Sequence, residues 1–216
     1  MHTNTHYSVS AREDQPTPRR NKNPGLRSAL STLAVIASAV FVAILIVSFV
    51  FRPYIVDGPS MEPTLHNGDR LIIWKLPHTW GKITGNSYVP NRGDVIVFTE
   101  HGLLSNSGLV DEQLIKRVIA VPGDRIVIED GTTTVFNTEH PNGFQPDTTM
   151  PYGEGLSLAV DKNEAIDITV EDDEVFVMGD NRNNSRDSRM FGTVDVDQIV
   201  GKLTLRIFPL NKAQSF

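Results

Sequence analysis

One membrane-length helix followed by a mostly β domain that carries a small β insertion is the fold class the sequence predicts. Three observations lead there. Residues 28–51 are twenty-four in a row without a charge, which at helical rise spans a hydrocarbon core of about 30 Å. Beyond Leu65, short β-branched and aliphatic runs recur behind Gly-Asp turns: Gly68-Asp69 before Arg70–Trp74, Gly93-Asp94 before Val95–Phe98, Gly123-Asp124 before Arg125–Ile128. Residues 52–216 leave room for one domain with a real core and not for several.

Taken in order, residues 1–27 hold five Arg or Lys against two acids among Asn, Thr, Pro and Ser. So polar a stretch reads as a disordered tail. The basic bias before the helix places the N-terminus in the cytoplasm and residues 52–216 outside, by the positive-inside rule. A cleaved signal peptide is the alternative, with Ala37-Ser38-Ala39 as its site, but twelve apolar or uncharged residues continue beyond it. Residues 53–216 carry fourteen basic and twenty-four acidic side chains, a net charge of minus 10. Such a domain repels phosphate, so a nucleic-acid partner is disfavoured. There is no cysteine, which removes disulfides, thiolate catalysis and thiolate metal sites together.

The segment between the first two turns carries Trp80 and Tyr88, which read either as interfacial aromatics or as a satellite core. Residues 125–174 are different again, with twelve acids against Arg125 and Lys162. They read as an acidic β insertion, and Glu171–Glu174 as a solvated turn, because no EF-hand spacing surrounds it. Val175–Met178 then reads as a short buried strand that runs into eleven polar residues, 179–189. The last strand is Gly201–Phe208.

Chemistry enters at Gly58-Pro59-Ser60-Met61-Glu62-Pro63, behind a strand-like Tyr54–Val56. A serine acts as a nucleophile when a sharp turn presents it to a base and to oxyanion donors. Glycine and proline on its flanks suit such a turn, although the stretch also reads as a plain proline-rich turn after an anchor, and the Gly-x-Ser-x-Gly elbow is absent. His66, His78, His101 and His140 are the histidines outside the tail, and each is flanked by turn or loop residues that make it a surface side chain. The other base is a lysine whose amine burial has made neutral. Lys116 sits in a strand-like run, Gln113–Pro122, where alternation puts it on the face of Leu114 and Val118, and Arg117 on the other.

Four ordered motifs settle the ambiguity: Ser60-Met61-x-Pro63-Thr64-Leu65, Arg92-Gly93-Asp94-Val95, Lys116-Arg117-Val118 through Pro122-Gly123-Asp124, and Gly179-Asp180-Asn181-Arg182-x-Asn184-Ser185-x-Asp187-Ser188-Arg189. Behind a membrane anchor, they resemble the motif boxes of bacterial type I signal peptidases over residues 26 to about 208, the acidic insertion aside. The resemblance implies a signal-peptidase-like β catalytic domain with Ser60 as nucleophile and Lys116 as general base. It implies that Ser185 orients the lysine amine, that Arg117 pairs with Asp180, and that Asp187 with Arg189 braces the polar loop. The Ser60 backbone N–H, with Gly58, would face the oxyanion. The substrate, the signal peptide of an exported preprotein, would lie as an added strand between Tyr54–Asp57 and Gln113–Ile115, so that Tyr54, Val56, Asp57, Gln113 and Ile115 bind it ahead of cleavage after an Ala-x-Ala-like site.

No metal or cofactor is needed, and the lipid bilayer is the other partner. One anchor in place of two, and Gly58 where some members carry serine, are similar to Gram-positive members. Lys116 argues against the endomembrane branch, which has histidine there. Two other classes are weaker readings. A self-cleaving Ser/Lys repressor would need a DNA-binding domain in place of residues 1–27, and a non-catalytic tethered β domain would have no use for both Ser60 and Lys116.

Overall fold

The computed structural model describes residues 24–75, 81, 85, 88–105, 108–153, 156 and 165–216. The tail expectation for residues 1–23, and the expectations for His78 and Trp80, lie outside the described residues; Tyr88 is half-buried. Helix α1 runs Pro24–Val50. Its Ser28–Leu45 stretch is apolar on every side and exposed, and among the described residues it is the one helix long and apolar enough to cross a membrane. A helix that is hydrophobic all round belongs in a core or a bilayer. The described chain divides between Ala43 and Ile44, and all the strands among the described residues belong to the second unit, Ile44–Phe216.

Those strands are β1 Phe51–Ile55, β2 Arg70–Trp74, β3 Val95–Ser105, β4 Gly108–Ala120, β5 Arg125–Glu129, β6 Thr132–Phe136, β7 Ile166–Thr169, β8 Glu174–Met178, β9 Val194–Asp195, β10 Ile199–Phe208 and β11 Gln214–Ser215. The large sheet has the order β1-β2-β10-β3-β4-β8-β9, with β11 also paired to β10. All its pairings are antiparallel. Strand β1 is at the sheet's edge, the position that tolerates Pro53 and its missing N–H.

Period-two alternation divides the core. Val95 and Val97 of β3 join Val56, Met61, Leu65, Leu71, Ile73 and Leu203, while Ile96 and Phe98 join Val118, Val175, Val177 and Ile199 on the opposite face. Strand β8 alternates likewise: Val175 and Val177 point to that second cluster, and Phe176 and Met178 to a third with Ile119, Ala120, Ile126, Ile128, Val135 and Val170. Apolar cover on both faces explains why β8 reads as an unbroken apolar run.

The insertion is a three-stranded sheet, β6-β5-β7, and the third cluster ties it to the main sheet. It also holds two elements absent from the sequence reading, a short helix α2 at Pro146–Thr149 and a 3-10 turn at Pro151–Gly153. Asp147 within α2 is buried. A further short helix, α3, spans Ser188–Phe191 and is capped by the Asp187 side chain, which accepts from the Arg189 N–H.

Candidate active site

Strand β1 ends at Ile55, and the chain turns at Gly58, whose φ of +89° is a backbone state that L side chains rarely adopt. Its N–H donates to Asn67 Oδ1 at 3.1 Å. One helical turn follows, closed by the Leu65 N–H donating to the Met61 carbonyl at 2.9 Å. Met61 and Leu65 drop fully into the first core cluster, and burying each contributes roughly 1.5–3 kcal/mol to holding the turn in place. The polar loop clamps the turn from the other side. Asn181 donates its N–H to the Ser60 carbonyl at 3.0 Å and its side-chain amide to the Pro59 carbonyl at 3.2 Å. Arg206, buried on β10, donates to the Thr64 carbonyl at 2.8 Å and pairs with Asp69 at 3.1 Å.

Lys116 comes from β4, whose exposed outer half, Gly108–Gln113, gives way to a buried inner half. Its Nζ lies 2.9 Å from Ser60 Oγ and donates to the Ile115 carbonyl at 2.9 Å. The side chain is 3 % exposed. Desolvation by burial lowers its pKa from the ordinary lysine value to about 8, against the opposing pull of Asp187, Glu112 and Asp180. A substantial fraction of neutral amine near physiological pH follows, facing a serine hydroxyl at hydrogen-bond distance.

Arg117, next along β4, makes a two-point contact with Asp180, at 2.8 Å from Nε and 2.6 Å from Nη2, and also donates to the Gly93 carbonyl at 2.8 Å. The Thr64 hydroxyl donates to the same Asp180 at 2.5 Å. Asp187 accepts from the Gly179 N–H at 2.9 Å and from Arg189 at 2.8 and 2.9 Å, and Arg189 also holds the Arg182 carbonyl. Ser188 Oγ accepts from the Val177 N–H. The polar loop is therefore a folded network in which both buried carboxylates meet arginine.

Ser185 is different. Its buried Oγ has no hydrogen-bond partner among the described residues, and the bond to Lys116 that the resemblance implies is not formed. It packs instead at Gly179, where an added Cβ would stand 2.2 Å from Ser185 Oγ and 2.4 Å from the Ser60 carbonyl. Only glycine fits that contact. Gly58, expected beside the oxyanion, has its N–H engaged by Asn67 Oδ1. No histidine hydrogen-bonds to Ser60 among the described residues: His101 pairs with Asp111 at 2.9 Å, and His140 packs on Phe144.

Beside Ser60 and Lys116 lies a groove of about 140 Å³, walled by Tyr54–Asp57 on one side and Glu112–Ile115 on the other, with Leu71 and Val97 beneath. The Tyr54 hydroxyl approaches Gln113 across it without forming a full hydrogen bond. Strand β1 pairs with β2 alone, and β4 pairs with β8 only from Arg117 onward. Both walls therefore have backbone edges without strand partners among the described residues, the property by which a sheet accepts an extended peptide.

Sequence reasoning missed Thr64, Asn181, Arg182, Asp147, Tyr152 and Arg206 as site-building residues. The first three lie inside the quoted motifs, where their polarity amid buried neighbours was a usable signal. Asp147 and Tyr152 had none, since each sits among the turn residues of an acidic stretch.

The family model described as signal peptidase, peptidase S26, matches residues 29–208. Similar curated proteins include a signal peptidase I of Bacillus caldolyticus, 36% identical over 187 residues with 80% of this chain and 90% of that protein covered. A signal peptidase I of Bacillus licheniformis is 29% identical over 202 residues, covering 93% and 96%. Signal peptidase IB of Staphylococcus aureus is 29% identical over 197 residues, covering 86% and 93%.

Proposed function

The chain belongs to the signal peptidases of the peptidase S26 family, and on that premise we propose that it is a membrane-anchored endopeptidase that removes signal peptides from exported preproteins with a Ser60/Lys116 dyad. The observation that carries the reading is the 2.9 Å approach of a buried lysine amine to the Ser60 hydroxyl at the end of a groove with two strand edges that have no partner among the described residues.

The substrate lies extended in the groove, pairing with Tyr54–Asp57 and Gln113–Ile115, with the scissile carbonyl at Ser60. Neutral Lys116 takes the hydroxyl proton as Ser60 Oγ bonds to the carbonyl carbon. The developing oxyanion is met by the Ser60 N–H. Collapse breaks the C–N bond, the amine leaves with the proton from Lys116, and an acyl ester remains on Ser60. Water, deprotonated by the same lysine, then releases the signal peptide as a carboxylic acid. Small residues two positions apart, in the Ala-x-Ala manner, suit a groove of this size. Helix α1 anchors the enzyme, with the basic residues before it on the cytoplasmic side and the catalytic domain outside.

The test is turnover of a preprotein in detergent by Ser60→Ala, Lys116→Ala and the double variant. Each single variant is expected to lose activity by roughly 10⁶-fold, and the double to lose no more, as residues acting as a unit do. Substitution of His66, His101 or His140 should leave rates within a few fold. Activity retained without Ser60, or lost with one histidine, sinks the dyad. Proteolysis of intact spheroplasts checks the topology, since protection of residues 52–216 would reverse it.

A further inference from the structure

Asp147 is one of the twelve acids of residues 125–174, yet it is buried and pairs with buried Arg182 of the polar loop. Arg182 donates from Nε to the Gly179 carbonyl at 3.1 Å, and its own carbonyl holds Arg189. Gly179 is the residue packed against both Ser185 Oγ and the Ser60 carbonyl. Five residues from Asp147, the Tyr152 ring lies under the Arg117 guanidinium, 4.4 Å from its carbon to the ring centroid. Arg117 is the chain neighbour of Lys116 and the partner of Asp180. Two side chains of the insertion thus grip both arginines that frame the dyad, one by charge and one by a ring face. The Gly153 backbone packs against the Asp147 carbonyl, where an added Cβ would stand 2.0 Å away, so the two grips share one rigid piece of chain.

We propose that Asp147 and Tyr152 are positioning residues for the peptidase reaction. Residues 146–153 form a buttress that sets the Gly179–Asp187 loop and Arg117, and through them the distance between Ser60 and Lys116. Neither residue lines the groove. Their loss is therefore expected to reduce the rate of the chemical step and to leave substrate binding alone. This inference rests on the Ser60/Lys116 reading.

The experiment uses the full-length enzyme in detergent, with a preprotein as substrate. Asp147→Ala is expected to lower kcat by about 10²-fold, the scale that a misplacement near 1 Å costs, with KM within threefold. Asp147→Asn keeps an acceptor for Arg182 and should recover most of the loss. Tyr152→Leu is expected to lower kcat about tenfold. Tyr152→Phe keeps the ring under Arg117 and should stay within twofold, because the hydroxyl has no partner among the described residues. Amide exchange of residues 179–187 measured in the inactive Ser60→Ala protein should rise on adding Asp147→Ala while the β8 amides stay protected.

Wild-type kcat in both Asp147→Ala and Tyr152→Leu, or a change confined to KM, overturns the proposal. If Asp147→Ala does not fold, the Leu and Phe variants at Tyr152 decide it: equal losses refute it. Activity surviving in Ser60→Ala would instead overturn the dyad, and leave the exchange result to judge the buttress alone.

Discussion

Two Arg–Asp pairs of the same chemistry sit in opposite surroundings. Arg117 and Asp180 meet at 2.6 Å with side chains 6% and 0% exposed; Arg125 and Asp167 meet at 2.5 Å, half exposed, on the outer β5–β7 sheet. The first pair joins the strand that carries Lys116 to the polar loop, and Thr64 adds a third hydrogen bond. The second bridges neighbouring strands already joined by a ladder of backbone bonds. A short distance alone therefore says little. Water screens the outer pair and can replace either partner, whereas the inner pair has no substitute solvent, so either partner left alone is a buried charge.

The largest effect expected from this contrast is in Asp180→Ala. Removing the carboxylate leaves Arg117 uncompensated, and a loss of about 3–5 kcal/mol in unfolding free energy follows, measurable by urea titration. A loss equal to that of an exposed substitution would mean that water reaches the pair.

Lys116 sharpens the comparison, because it is a buried cation without a direct carboxylate partner among its hydrogen bonds. Its folded pKa of about 8 lies below the ordinary 10.5, so between those values the unfolded chain binds more protons and stability rises with pH. The cost is present in full below pH 8 and disappears as pH climbs toward 10.5. Lys116→Met should therefore raise stability at pH 7 by up to about 3 kcal/mol, with the gain vanishing above pH 10.5 while turnover is lost. In the native enzyme the rate should climb about tenfold per pH unit below 8 and level off above it. A rate that stays flat from pH 6 to 9 is incompatible with this lysine as base.

Gly58 gives a smaller effect. Its φ is +89° and an added Cβ would meet nothing within 4 Å, so Gly58→Ser suffers backbone strain without a clash. A loss of about 1–2 kcal/mol is expected, read from the same urea titration, with kcat no higher than in the native enzyme. A faster enzyme of undiminished stability would show that the new hydroxyl supplies an oxyanion donor. The smallest effect is expected from Arg125→Ala, whose unfolding midpoint should match that of the native protein in both low and high salt.

What the sequence alone determined was local or periodic. Chain length without charge set the α1 helix, and residues 28–51 needed no partner to be readable. Gly-Asp turns marked the starts of β2, β3 and β5, and an unbroken apolar run predicted that β8 would be buried. The motif order named Ser60 and Lys116, and it implied the Arg117–Asp180 and Asp187–Arg189 contacts that the structure contains. The remaining features depend on residues far apart in the chain meeting in a low-dielectric interior. Burial of Lys116 depends on strands from across the chain. Ser185 lies at Gly179 without the lysine bond, an outcome of side-chain packing. Asp147 reads in sequence as one more solvated acid and becomes the partner of Arg182, thirty-five positions away. A carboxylate looks the same in sequence whether water or arginine surrounds it, and only the fold determines which one does.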